Sequence, residues 1–321
     1  MENSTIAVNN STSNALIWFN ASDSDSNKSA SETYCGGELG NTDKIAGGVF
    51  YGMVSLFGSL GNIFVVLVIC RTPNLRNICG VLIANLAVAD LLTSAFAVPV
   101  YYYAVLAVSQ SNCDSVPLPH RVAGTLLDMF GIASVVTLAS LSVDRSFAIS
   151  SPLKHKTFMT FTKLKVKLVN IWLGAIIYSI ARGLFPGVIT MEYSAYVASI
   201  GLTVCFVIIV TSGVVAILNV RRNSSRVSDL HQNQDGGRIS EGMRQRNKQV
   251  AKTITLIIIL FFVSWTPLAV SRFFNPLFYI DHVSLDFWFL ILGCANSAMN
   301  PCIYFYRHRN YREALKATLG L

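Results

Sequence analysis

Charge is what this chain has least of. Asp, Glu, Lys and Arg make up 13% of its 321 residues, about half the share of a soluble globular domain. The 5 histidines and 7 cysteines are scattered, and none falls at a metal-ligand spacing. There is no glycine-rich phosphate loop, no nucleophile elbow and no His or carboxylate constellation of the kind a membrane enzyme needs. Basic residues interleaved with aromatics are missing too, so a nucleic-acid partner is not expected. Internal repeats with paired broken helices, the mark of many transporters, are also absent.

What fills the chain instead is apolar sequence, 52% hydrophobic. Runs of about 20 apolar residues occur seven times, at roughly 46–70, 78–104, 119–149, 165–188, 194–220, 249–274 and 284–306. The expected fold is therefore all-α, a seven-span helix bundle. Its parts are a polar tail over 1–45, the bundle over 46–306 and a short segment over 307–321. Of the 25 Lys and Arg residues, only Lys28, Lys44, Arg121, Arg182 and Arg272 fall on one side. The positive-inside rule then puts the N-terminus outside and the C-terminus in the cytoplasm. The net charge of +8 thus faces anionic membrane lipid, and a multi-pass plasma-membrane location is expected.

The N-terminal tail supports that orientation. It is rich in Ser, Asn and Asp and carries glycosylation sequons at Asn3, Asn9, Asn10, Asn20 and Asn27. It has no apolar core near Met1, so no cleaved signal peptide is expected, and its composition reads as disordered. Cys35 and Cys113 are the two cysteines on the oxidising side. They can form one disulfide or stay free, since sequence supplies no distance between them.

The apolar segments carry polar residues that hydrocarbon cannot solvate. They are Asn62 in the first, Asn85 and Asp90 in the second, and Ser134, Asp144 and Arg145 in the third. Trp172 lies in the fourth, Ser264 and Pro267 in the sixth, and Asn296, Ser297, Asn300 and Pro301 in the seventh. A carboxylate at the bilayer centre costs about 2.5–3.5 kcal/mol on insertion scales, so Asp90 needs partners. It either pins helices together or lines a water- or cation-filled pocket.

Taken in order, these motifs resemble the rhodopsin-like class of G-protein-coupled receptors over roughly residues 46–315. Asp144-Arg145-Ser146 is similar to the family's Asp-Arg-Tyr, and Phe261 to Pro267 to its Phe-x-x-Cys-Trp-x-Pro. Asn300 to Tyr304 matches Asn-Pro-x-x-Tyr, and Tyr311-Arg312 the start of an amphipathic eighth helix. The resemblance implies a receptor with an extracellular ligand and a heterotrimeric G protein as partners, and no catalytic residues. Asp144, Arg145, Phe261, Trp265, Pro267, Asn300, Pro301 and Tyr304 become the coupling and switch residues. Asp90, Ser134, Asn296 and Ser297 match the family's sodium pocket, with Asn62 in the surrounding polar network. No cofactor is expected beyond that allosteric sodium ion, and no other metal.

Several positions depart from the family pattern. The usual cysteine is missing near His120, and the loop between the fourth and fifth spans, about 187–194, has none to pair with it. The fifth span lacks proline, with Cys205 in its place, and Gly213 stands where a tyrosine is usual. Asn247 replaces an acidic residue that often locks the third-span arginine, which predicts a loose resting state. A short cysteine-free loop with a proline-less fifth span is similar to the melanocortin, sphingolipid, cannabinoid and adenosine receptor cluster.

Candidate ligand residues are Leu127, Asp128, Trp265, Leu268, Arg272 and Cys294. Arg272 either pairs with an anionic ligand group or is a solvated arginine at a helix end. Asp128 either pairs with a cationic group or does nothing of the kind. The ligand stays open between small molecule, lipid and short peptide. A light sensor would need a lysine in the seventh span, and none lies between Arg272 and Arg307. The alternatives are a ligand-binding receptor that does not couple and, further off, a membrane transporter.

Overall fold

The structure, a computed structural model, describes residues 39–108, 118–185, 191–230, 237–274, 283–307 and 309–320. For 191–192, 223–230 and 237–254 only the backbone is described. The expected glycosylation sites, Cys35 and Cys113 lie outside the described residues, and so does the side chain of Asn247.

The described residues form helices and no strand. The first span is α1, Asn41–Arg71. The second is α2, Ile78–Leu92, continued through a π turn at Thr93–Ala97 into α3, Val98–Val108. The third is α4, Leu118–Ser150, followed by the short α5, Pro152–Phe158. Next come α6, Phe161–Leu184, α7, Met191–Leu230, and α8, Gly237–Phe274. The last span is α9, Val283–Arg307, and α10, Arg309–Leu319, follows it.

Six of these spans are long and apolar enough to cross a membrane by length and composition. The seventh, α9, is diluted by Asp286, Asn296, Ser297 and Asn300, all buried inside the bundle. Helix α4 is central and packs on α2, α3, α6 and α7, while α9 joins α1 to α8. Large apolar side chains on α1, α6 and α7, among them Phe57, Ile177 and Ile200, are exposed. That is where lipid replaces protein as the apolar solvent.

Local chemistry explains the helix ends. Asn77 caps α2 by accepting the Gly80 N–H at 3.1 Å, and Thr160 caps α6 by accepting from Lys163 N. Pro152 opens α5, where its missing N–H costs nothing. Pro99 lies just past the π turn; a proline ring clashes with the carbonyl four residues back and donates no hydrogen bond, and the wider turn absorbs both. Helix α7 runs on to Leu230 and α8 starts at Gly237, so both extend into the polar stretch 222–248.

Two apolar clusters fill the bundle. The inner one joins Leu82, Leu138, Ile209, Phe261, Tyr304 and Tyr311. The outer one joins Tyr51, Tyr101, Leu268, Phe287 and Leu290. Trp265 packs against both.

Helix α1 approaches α9 closely where Gly61 faces Pro301, and a Cβ at 61 would lie 2.9 Å from the proline ring. A rigid ring cannot step aside. Gly61→Val should therefore cost about 1–3 kcal/mol by overpacking and lower the melting temperature of the detergent-solubilised protein. Gly52→Ala, which would meet no atom within 4 Å, should leave that melting temperature unchanged.

Candidate functional site

The buried polar residues gather in three layers along the bundle. In the middle layer Asp90 is completely buried. Its Oδ1 accepts from Ser134 Oγ at 2.7 Å and Ser297 Oγ at 2.9 Å, and its Oδ2 from Asn300 Nδ2 at 2.7 Å. Asn62 Nδ2 donates to the Gly58 and Ser297 carbonyls at 2.9 and 3.0 Å, adding α1 to the set. Asn296 is buried nearby and lines the cavity above, but it makes no hydrogen bond to Asp90. Alongside, Asn85 donates to Thr137 Oγ1 and accepts from Trp172 Nε1 at 2.9 and 3.0 Å, tying α2 to α4 and α6.

These residues fit a sodium ion by their chemistry. The Ser134 and Ser297 hydroxyls donate their protons to Asp90, and their oxygen lone pairs remain available beside its carboxylate. An oxygen-only set suits a hard cation. Among the described residues no cluster of three or more His, Cys, Asp or Glu could hold another metal.

At the cytoplasmic layer Asp144 is buried and bonded twice. Arg145 donates to its Oδ2 at 2.9 Å, and His155 Nε2 lies 2.7 Å from its Oδ1. His155 comes from α5 and stacks edge-on against Phe147 at 5.5 Å. The sequence offered no signal for this partner, because α5 is too short to show a periodicity. Tyr304 is buried with its ring 6.0 Å from Tyr311 of α10 and its hydroxyl unpartnered. Tyr304 and Phe261 share the inner cluster, and Trp265 packs against it.

At the extracellular layer a cavity of about 340 Å³ is lined by Leu127, Asp128, Trp265, Leu268, Arg272 and Cys294, among others. All six expected ligand residues therefore share one chamber. Its floor reaches Ser134 and Ser297 of the Asp90 cluster. The roles expected for its charges need revision. Arg272 makes a bidentate fork to Asp286, Nε to Oδ1 at 3.0 Å and Nη2 to Oδ2 at 2.9 Å. Asp128 pairs with Arg182 of α6 at 2.5 Å, off the axis of a hydrogen bond. Each charge thus has a counter-charge already in place at the chamber wall. The sequence motifs singled out neither Asp286 nor Arg182 as a charge partner.

This arrangement, seven spans around a chamber with a polar core and an Asp-Arg pair at the inner end, defines a seven-helix membrane receptor. The model of the 7 transmembrane receptor (rhodopsin family) matches residues 61–304, and the chain belongs to that family. It is 24% identical over 296 residues to the allatostatin-A receptor of Bombyx mori, covering 84% of this chain and 78% of that one. It is 27% identical over 316 residues to neuromedin-U receptor 1 of Rattus norvegicus, covering 85% and 73%. With the GQ-coupled rhodopsin of Mizuhopecten yessoensis it shares 27% over 298 residues; that match takes in 84% of this chain but 58% of the opsin. The crystal structure of squid rhodopsin has the same fold, with a TM-score of 0.71 at 19% identity, covering 88% of this chain and 87% of that one. These relatives are peptide receptors and opsins, so the likeness to the melanocortin–adenosine cluster rests on sequence features such as the short loop and the proline-less α7.

The Arg272–Asp286 fork can be tested by removing one partner or both. Asp286 is 4% exposed, and stranding a buried charge costs about 3–5 kcal/mol, whereas an apolar pair can be neutral. Arg272→Leu alone should clearly lower the melting temperature of the purified receptor. Adding Asp286→Leu should restore most of that loss.

Proposed function

We propose that this rhodopsin-like receptor converts occupancy of the extracellular chamber into activation of a heterotrimeric G protein at the plasma membrane. It does no covalent chemistry of its own. The observation that carries this reading is the Asp144–Arg145 pair at the inner end of α4, in line with a chamber floored by Trp265. Trp265 packs against both apolar clusters, so a ligand that moves it disturbs inner packing as well as outer. Two residues beyond it, Pro267 removes a backbone hydrogen bond within α8, which makes α8 the helix to swing. Arg145, released from Asp144, then meets the G protein.

A ligand drives this only through its different affinity for the two arrangements. Moving the population from 1:99 to 99:1 takes about 5.5 kcal/mol of such difference. A sodium ion held by Asp90, Ser134 and Ser297 would hold α2, α4 and α9 together and so favour the resting arrangement. The opsin relatives do not transfer their photochemistry, since α9 has no lysine for a retinal Schiff base.

A receptor that binds but does not couple is the second reading. Ser146 stands in place of the family's tyrosine, and buried Gly213 of α7 has no side chain to offer an active state.

The deciding experiment compares basal and ligand-stimulated cyclic-AMP and calcium output of wild type and Arg145→Ala at matched surface levels. Loss of the signal is expected; an identical signal from both would reject coupling through Arg145. Asp144→Asn, which keeps an acceptor but removes the charge, should raise basal output two- to fivefold, equivalent to about 0.4–1 kcal/mol of lost restraint. For the ion, Asp90→Asn should abolish any change in melting temperature between sodium and N-methylglucamine buffers. A sodium response that survives in the variant would remove the ion from this cluster.

A further inference from the structure

The receptor reading leaves the chamber's ligand open. Helices α6 and α7 both pack on α4 but make no extended packing with one another. Tyr178 of α6, which lines the chamber, donates to the Ser194 carbonyl of α7 at 3.4 Å; below that bridge a slot is left between the two helices, backed by α4. On its α7 side Val197, Ala198 and Gly201 line the chamber and are themselves exposed. Val197 is 52% exposed, more than a side chain with its back to protein would show. The same stripe continues into Ile200 and Val204, equally bare and facing lipid. On α4, Gly131 lines the chamber behind the slot. A Cβ added at Gly131 or at Gly201 would meet no atom within 4 Å, whereas at Gly293, deeper in, it would lie 3.3 Å from the Trp265 ring. Both Gly131 and Gly201 therefore leave room for a side chain.

Chemistry narrows what passes through it. The ionisable groups on the wall, Asp128 and Arg272, already have their counter-charges in Arg182 and Asp286. A ligand with a net charge would have to break one pair or bring its charge in uncompensated, at high cost in a low-dielectric site. Most of the rest of the wall is apolar, and the Trp265 indole nitrogen is buried rather than exposed to the chamber.

We propose that the chamber takes an uncharged, mainly apolar ligand, and that this ligand enters from the bilayer between α6 and α7. The proposal rests on the receptor reading only in treating this chamber as the ligand site.

The test uses the full chain in lipid nanodiscs and a monoacylglycerol probe with a diazirine in its acyl chain and a terminal alkyne. After illumination, cross-links are mapped by mass spectrometry and scaled to those on the lipid-facing side of α1 around Phe57. Chamber labelling on residues 127–136 and 197–205 is expected. Gly201→Trp and Gly131→Leu, which block the slot from two different helices, should each lower it at least fivefold. Melting curves identify any variant that has not folded, and the other then decides. A free fatty acid probe of the same chain length should label the chamber at least fivefold less than the ester. Chamber labelling no stronger than that around Phe57, or unchanged by either folded variant, overturns entry by this route. Stronger labelling by the acid overturns the uncharged ligand. Arg145→Ala should label as wild type does, so loss of coupling and loss of this ligand route are separable results.

Discussion

A carboxylate buried in the middle of a membrane span sets the terms for this bundle. Asp90 lies in a span, and hydrocarbon leaves it only other parts of the chain for partners. Three hydrogen bonds reach it, from Ser134 on α4 and from Ser297 and Asn300 on α9. Hydrogen bonds to a charged group each contribute about 1.5–3 kcal/mol net, enough together to offset burial of the charge. Because the donors sit on two other helices, Asp90 fixes the rotation and depth of α2 against both. Asn62 extends the same constraint to α1 through the Ser297 carbonyl. The close approach of Gly61 to Pro301 is one consequence, since α1 must come near α9 for that hydrogen bond to form.

Much of this was legible because a membrane makes polar residues conspicuous. Asp90, Ser134, Ser297 and Asn300 stand out against apolar surroundings, and each found a partner within the set expected. Asn296 belonged to the same pattern but points its amide elsewhere, since adjacency in a motif does not determine which face of a helix a side chain occupies. The misread residues were those at the membrane boundary. Arg272 had a solvated helix end as one of its two readings, while Arg182 and Asp286 were given no partner, because charge at the end of a span is ordinary. Their pairing needs the relative height of different helices, which no local pattern contains. His155 was invisible for a similar reason: it sits on the seven-residue helix α5, and only the tertiary fold brings it to Asp144. The π turn before Pro99 could have been suspected from the proline alone, by the steric rule that also marks Pro267 and Pro301.

The outer and inner ionic groups differ in a way that bears on how the bundle opens. Arg272–Asp286 is a two-point fork joining α8 to α9, and Asp128–Arg182 joins α4 to α6. Both cross between spans, so sliding the outer ends apart would separate opposite charges. The inner partners of Asp144 lie on α4 itself and on the adjoining α5, and neither is on α8. Separating α8 from α4 at the cytoplasmic end therefore breaks neither of these bonds. Arg145 also keeps an unpartnered Nε. Among the described residues, then, the ion pair does not tie Arg145 to α8. In the proposed mechanism, α8 is pinned outside by the Arg272–Asp286 fork and would pivot near Pro267 rather than shift as a rigid whole. Trp265, packed against both apolar clusters two residues from that proline, would then convert a small displacement in the chamber into a larger one at the cytoplasmic face.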